Sequence, residues 1–320
     1  FEKIIFCNSG TEAVTKALRI SRTLNKKEYI VSVVGSWHGS VDKLLFHPDN
    51  KLRPKFLSDG IPNNDKKKII FIPYNDIETS KKILNKNKNK INSIIIEPVQ
   101  ACLPLSNAKH YLKFLENFCN KNNSTLIFDE MITGVRSDKN SVQENYKIKP
   151  DITTIGKIIG GGMPIGVIGI SKKVYKLIKN KKIFYGGTFS GNSLSSFVGN
   201  ETLKYLIKKK SIIKTVNEKS KYFQNNLNKF IYNNKMDLKV YRYSSILRIV
   251  YTNNEINNRI QRDFFESKIS NKINNFKNFL FKKNIYYPSN GIIFFSEATN
   301  YKNIDYVIKN IKEGFKKYFR

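Results

Sequence analysis

A chain of 320 residues, 40% hydrophobic and 12% aromatic, carries enough apolar side chains for a sizeable core and about two domains, which excludes a disordered polypeptide. No apolar run approaches the roughly 18–20 residues of a membrane-spanning helix, and Phe1-Glu2-Lys3 leads straight into a strand pattern rather than a secretory leader. Lysine and arginine number 57 against 25 aspartates and glutamates, a formal charge of +32. The lysines are spread along the chain and mixed with Asn and Ile, as in Asn85-Lys86-Asn87-Lys88-Asn89-Lys90. With no recognition motif beside it, this charge reads as compositional bias, and neither nucleic acid nor a membrane is expected as a partner. The three cysteines, Cys7, Cys102 and Cys119, lack metal-ligand spacing and read as reduced thiols of a cytoplasmic protein, with no metal site expected.

In chain order, short apolar strands alternate with helical segments from residue 3 to about 206, the pattern of an α/β fold with a mostly parallel central sheet wrapped by helices. Lys3–Cys7 reads as a strand and 11–24 as a helix, with Val14, Ala17, Leu18 and Ser21 at helical spacing. Strands follow at 28–34, 68–73, 92–96, 125–128 and 152–155, the β-branched ones reading as buried parallel strands. Between two of them, 110–122 is an amphipathic helix with Tyr111, Phe114, Leu115 and Phe118 on one face. The remainder predicts a long helix at 208–234, strands within 238–251, a helix at 263–283, strands within 285–295 and a closing helix at 304–319. The division expected is a large domain over 1–210 and a smaller C-terminal α+β domain over 211–320.

Three ionisable residues occupy the same topological place. Glu97 follows one strand, Asp129 the next, and Lys157 a third, so all three are expected in the crevice at the carboxyl ends of the strands. Between Asp151 and Lys172, Lys157 is the only charged residue, followed by Ile158-Ile159-Gly160-Gly161-Gly162-Met163-Pro164. A partly desolvated ammonium there suits an amine that forms Schiff bases, and the glycine run lets backbone approach a ligand; a lysine snorkelling from an apolar strand end is the other reading. Asp129 is the carboxylate a pyridine-type cofactor needs opposite its ring nitrogen, whereas Glu130 reads as a loop or capping carboxylate. Ser9-Gly10-Thr11, between the first strand and the first helix, forms either a phosphate cradle at a helix N-terminus or a plain N-cap. Gly187-Thr188 with Ser190-Gly191-Asn192 is a second loop of that kind. Trp37, the only tryptophan, precedes His38-Gly39 and is either a stacking surface or a core residue. Arg136 reads equally as a contact for a substrate carboxylate and as half of a structural ion pair.

Taken together these motifs resemble the class-III aminotransferases of the fold-type-I PLP (pyridoxal 5′-phosphate) family, and most closely their glutamate-1-semialdehyde 2,1-aminomutase branch. The matching stretches are Asn8-Ser9-Gly10-Thr11-Glu12-Ala13, Trp37-His38-Gly39, Pro73-Tyr74-Asn75-Asp76, Glu97-Pro98-Val99, Phe128-Asp129-Glu130, Thr133-Gly134-Val135-Arg136, Pro150-Asp151 through Lys157 to Gly162, and Gly187-Thr188-Phe189-Ser190-Gly191-Asn192. They stand in the family's order and cover about residues 3–210, with 286–299 matching more loosely. The resemblance implies catalytic roles for Lys157, as Schiff-base lysine and proton shuttle, and for Asp129, as partner of the pyridine nitrogen. It further implies cofactor binding by Ser9, Gly10 and Thr11 at the phosphate, by Trp37 on the ring beside His38, by Glu97 near the substrate, and by Thr188 reaching across a homodimer.

Two activities fit the resemblance: intramolecular amino transfer giving 5-aminolevulinate, and intermolecular transfer from an amino acid to a separate aldehyde, ketone or keto-sugar. Glu97-Pro98-Val99-Gln100 resembles ordinary transaminases of the class, while Met131-Ile132-Thr133-Gly134-Val135-Arg136 resembles the aminomutase. In the run from Pro288 to Thr299 no acid stands at the earlier place where the aminomutase branch has a glutamate, and Thr299 stands in place of its histidine. Family members also carry a segment ahead of the first phosphate motif, so the expectation is a chain trimmed of that segment or a fragment lacking it.

Overall fold

The computed structural model describes residues 1–137 and 141–320. In chain order its first elements are β1 (Lys3–Cys7), α1 (Gly10–Leu24), β2 (Tyr29–Val33), a small hairpin of β3 (Phe46–Pro48) and β4 (Pro54–Phe56), α2 (Asn63–Lys67), β5 (Ile69–Ile72), α3 (Ile77–Asn87) and β6 (Ile91–Ile96). They continue with α4 (Lys109–Asn122), β7 (Thr125–Asp129), α5 (Val142–Tyr146), β8 (Ile152–Gly156), β9 (Gly166–Ile170), α6 (Lys172–Ile178) and α7 (Ser193–Lys208). Two compact units result, one of Phe1–Pro98 with Asn107–Lys208, the other of Val99–Ser106 with Lys209–Arg320.

The first unit is built on a seven-stranded sheet in the order β1-β9-β8-β7-β6-β2-β5. Strands β5, β2, β6, β7 and β8 are parallel, as continuous apolar runs such as Ile91–Ile96, buried at every position, require. Strand β9 runs antiparallel to both β8 and β1, so β1 points the same way as the parallel strands. Six strands therefore end on one edge of the sheet. Strand β9 escapes the sequence pattern because two glycines dilute its five-residue run, Gly-Val-Ile-Gly-Ile.

Helix α1 packs its Ala13, Val14, Ala17, Leu18, Ile20 and Ser21 face inward. Its N-terminus is fixed reciprocally: Ser9 Oγ accepts from the Glu12 N–H at 3.2 Å, and Glu12 Oε2 accepts from the Asn8 N–H at 2.7 Å. Glu130 is fully buried and staples the loop that follows β7. Its carboxylate accepts from Thr133 Oγ1 and the Val142 N–H at 2.8 Å each and from the Gln143 N–H at 3.1 Å, while burial pushes its pKa up. The capping role read for Glu130 is what the structure displays.

The second unit continues with α8 (Ser211–Asn233), β10 (Lys239–Tyr243), β11 (Ile246–Val250), α9 (Arg259–Lys268), α10 (Ser270–Lys282), β12 (Ile292–Phe294) and α11 (Tyr301–Tyr318). An antiparallel three-stranded sheet, β10-β11-β12, has Phe223, Leu227, Phe276 and Phe315 of the helices in its core. The single helix expected at 263–283 is two, breaking at Ile269, whose backbone leaves helical geometry at ψ 22°. Only β12 forms within 285–295, because Gly291 turns at φ +72° just ahead of it.

Cys7, Cys102 and Cys119 form no disulfide; Cys7 and Cys119 are buried and Cys102 partly so. Burial pushes the Cys7 thiol up to about 11, and the Cys119 thiol upward as well. Since the thiolate is the reactive form, alkylation of the native chain at pH 8 is expected at Cys102 alone, with all three thiols reacting after denaturation. Mass spectrometry of labelled peptides checks this, and native labelling of Cys7 contradicts it.

Candidate active site

The carboxyl edge of the sheet opens into a cavity of about 370 Å³ lined by Asn8, Ser9, Gly10, Thr11, Val14, Trp37, His38, Gly39, Asp129, Met131, Lys157, Met163, Pro164 and Ile165. These come from the loop after β1 and the first turns of α1, the loop after β2, the end of β7 and the turns after β8. The strand-end argument thus holds for Asp129 and Lys157, which share one cavity with the loop Ser9-Gly10-Thr11 and with Trp37 and His38.

Asp129 is the last residue of β7, opposite Thr154 of β8, and is 2% exposed. Its Oδ2 lies 2.8 Å from His38 Nδ1, and its Oδ1 accepts from the Met131 N–H at 3.1 Å. Both carboxylate oxygens are thereby held before any ligand arrives. Lys157 begins a turn of 3₁₀ helix, Lys157–Gly160, with φ 52°. The left-handed region costs a non-glycine residue about 1 kcal/mol, so the fold holds this lysine in a conformation its own backbone disfavours. The partial desolvation expected for its ammonium is not found: Lys157 is exposed where it lines the cavity.

At the other wall, Ser9 is the N-cap of α1 and Thr11 Oγ1 accepts from the Ser40 N–H at 3.1 Å. The first helical hydrogen bond runs from the Ala13 N–H to the Ser9 carbonyl, so the N–H groups of Gly10 and Thr11 lie ahead of it at the positive end of α1. The two readings of Ser9 are compatible, because an oxygen that accepts from Glu12 keeps its own hydrogen to donate. Gly39, at φ +75°, lets the second loop close on the first: a Cβ there would stand 2.4 Å from Thr11 Oγ1. Trp37 is 57% exposed, so it is a wall of the cavity and not a core residue.

Glu97 and Thr188 are not among the residues lining the cavity. Glu97 is buried, and its Oε1 accepts from the Trp37 N–H at 2.7 Å while its own N–H donates to Ser36 Oγ at 3.2 Å. In place of the expected substrate contact, Glu97 clamps the backbone that carries Trp37. The cause is the strand order: the loop after β2 crosses the end of β6 to reach β7. Thr188 is exposed in a turn closed by the Ser190 N–H on the Gly187 carbonyl, at 2.9 Å. Gly160 and Gly161 do not line the cavity either. A Cβ on Gly161 would lie 2.1 Å from Thr202 Oγ1 of α7, and its φ is +58°, so this glycine serves helix packing and a left-handed turn. Arg136 donates through Nε to the Ile132 carbonyl at 3.2 Å. Met131, Met163, Pro164 and Ile165 were not foreseen as walls; nothing in an apolar residue's type marks it as lining a cavity.

The arrangement combines an amine, a fixed buried carboxylate, a helix N-terminus with free donors and an exposed aromatic face. Among the described residues no group of His, Cys, Asp and Glu is placed to hold a metal ion, and no helix is long and apolar enough to cross a membrane.

The fold is that of the α/β transaminases, and the chain belongs to the class-III aminotransferase family, whose model matches residues 1–260. Among its relatives, the glutamate-1-semialdehyde 2,1-aminomutase of Wigglesworthia glossinidia brevipalpis is 39% identical over 261 residues, 79% of this chain and 59% of that protein. The chain spans about 60% of the length of the curated relatives it matches first. An omega-transaminase from Sphaerobacter thermophilus shares the fold with a TM-score of 0.88 at 20% identity, over 98% of this chain and 74% of that one. A transaminase with PLP bound does so with a TM-score of 0.83 at 21% identity, over 99% and 74%.

Removing the Glu97 side chain strands the Trp37 N–H, so Glu97→Ala should lower stability by about 1–3 kcal/mol, while Glu97→Gln, which keeps an acceptor, should restore most of it. Urea unfolding followed by the emission of Trp37, the only tryptophan, measures both; equal stability of the Ala variant and wild type contradicts the clamp.

Proposed function

We propose that this chain carries out PLP-dependent amino transfer as a glutamate-1-semialdehyde 2,1-aminomutase, converting glutamate 1-semialdehyde to 5-aminolevulinate. The observation that carries this reading is the convergence of Lys157, Asp129 and the N-terminus of α1 on one cavity, in a chain 39% identical to an aminomutase of that name. The residues fit the cofactor. Its aldehyde calls for an amine, its ring nitrogen for a carboxylate, its phosphate for backbone donors at a helix N-terminus, and its flat face for an aromatic ring.

When bound, pyridoxal 5′-phosphate supplies the electron sink that stabilises the carbanion left by a departing α-proton. Lys157 Nζ would hold the cofactor and would carry the proton between substrate carbons. Asp129 presents a carboxylate already oriented by His38 and by the Met131 N–H. The N–H groups of Gly10 and Thr11, with the hydroxyls of Ser9 and Thr11, bind the phosphate, and Trp37 covers the ring. Glu97 acts through Trp37, whose backbone it fixes. Thr188, exposed here, serves the cavity of a second copy in a homodimer, and the enzyme works in the cytoplasm on a small amino or carbonyl substrate.

Incubation with glutamate 1-semialdehyde alone should yield 5-aminolevulinate, and Lys157→Ala should abolish both that turnover and the long-wavelength absorbance of bound cofactor. Failure of the wild-type chain to convert this substrate, with turnover only when an amino-acid donor and a separate carbonyl compound are supplied, points to the intermolecular reaction instead. Asp129→Asn should leave the cofactor bound yet lower the rate by about two to three orders of magnitude, the scale of a lost preorganised electrostatic contact. Steady-state kinetics of the loaded variant checks this, and wild-type turnover refutes the role given to Asp129.

A further inference from the structure

In the second unit, helices α8 and α11 enclose a groove of about 550 Å³ with an apolar floor and a cationic rim. Ile308, 5% exposed, and the half-buried ring of Phe230 form the floor. Lys309, Lys312 and Lys316 follow one another at the spacing of a single helical stripe, and all three line the groove. The ammonium groups of Lys312 and Lys316 lie 5.5 and 5.7 Å from the centre of the Phe230 ring, so both are held over the apolar floor. Unpaired lysines are ordinary in a chain with 57 cations and 25 anions. This groove differs because its own acids are engaged elsewhere. Asp305 Oδ1 accepts from the Tyr222 hydroxyl at 2.7 Å, and Glu313 Oε1 turns to Lys283 at 3.6 Å. Among the described residues no carboxylate forms an ion pair with any of the three ammonium groups of the stripe.

We infer that this groove docks an acidic amphipathic helix of another protein. A helix laid along two others seats its apolar side chains in the groove between them. Leucine-like side chains on one face of the incoming helix cover Phe230 and Ile308, and so take apolar surface out of water. Glutamates flanking that face meet Lys309, Lys312 and Lys316, which repeat every three or four residues, the interval at which side chains recur on one face of any helix. The two repeats therefore stay in step over the two turns, about 10 Å, that the stripe spans. A nucleic acid strand matches the charge but has no aliphatic face for the floor, and a single small anion reaches only part of the stripe. The apolar floor beneath the lysines is what selects a protein helix. The groove shares no lining residue with the Lys157 cavity, so this inference is independent of the amino-transfer reading.

Fluorescence anisotropy tests this with the whole chain and labelled peptides of about 18 residues, in about 0.15 M salt to screen the general attraction of a cationic chain. One peptide carries leucine on a single helical face flanked by glutamate, a second has the same composition in scrambled order, and a third has lysine in place of glutamate. The first should bind at least about tenfold more tightly than either control. Lys312→Glu with Lys316→Glu turns two attractions into repulsions and should weaken that binding by about tenfold. Lys86→Glu with Lys88→Glu, an equal change of charge at exposed positions of the first unit, should stay within about twofold of wild type. Should the groove reversal fail to fold, Lys309→Gln with Lys316→Gln, both exposed, should still cost about threefold, and unchanged affinity there refutes the lysine contacts. Equal loss in the two reversed variants overturns the inference by assigning the binding to net charge. Equal binding of the scrambled peptide, or no binding of the first, overturns it as well. A single-stranded oligothymidylate that displaces the first peptide at equal concentration, and itself binds more weakly to the groove reversal, means a surface for polyanions of any kind and overturns the helix.

Discussion

The register that sets β7 beside β8, with Asp129 opposite Thr154, is the constraint on which the site depends. It places the end of one parallel strand against the end of the next, so that a carboxylate on β7 and an amine just past β8 open onto the same cavity. Backbone hydrogen bonds between buried strands do this work, and no side chain at the site is asked to hold the two elements together. A slip by one residue would turn Asp129 to the opposite face of the sheet.

From that register outward the site is assembled by chain segments that cross strand ends. The loop after β2 must pass β6 to reach β7, and it is pinned at both places by carboxylates, Glu97 on the Trp37 N–H and Asp129 on the His38 ring. The loop after β1 is pinned by its own capping interactions through Ser9 and Glu12, and Thr11 Oγ1 ties it to Ser40 of the loop after β2. Glu130, next to Asp129 in sequence, faces away from the cavity and holds the loop that follows β7. Adjacent acids therefore divide the labour: one shapes the chain and the other faces the cavity.

The sequence pattern carried most of the first unit because its strands are short, apolar and β-branched. It missed β9, whose glycines mimic a loop, and it merged α9 and α10, whose break at Ile269 carries no proline or glycine to announce it. It read the glycines after Lys157 as room for a ligand, whereas Gly161 meets Thr202 of α7. It gave Lys157 a desolvated setting because its sequence neighbours are apolar, yet Ile159 is buried and the lysine is exposed. The common cause is that apolar neighbours in sequence do not fix which side of a strand end remains open.

What the sequence by itself determined is which groups meet at the cavity: Lys157, Asp129, Ser9-Gly10-Thr11 and Trp37 follow from residue type and from a place at strand ends, both of which are local properties. What only the tertiary structure decided is how those groups are held. The pairing of His38 with Asp129, the turn of Glu97 toward Trp37 and the walls formed by Met131 and Met163 depend on which strands are neighbours in the sheet. Strand order is set by the packing of the whole unit, and no local run of residues encodes it.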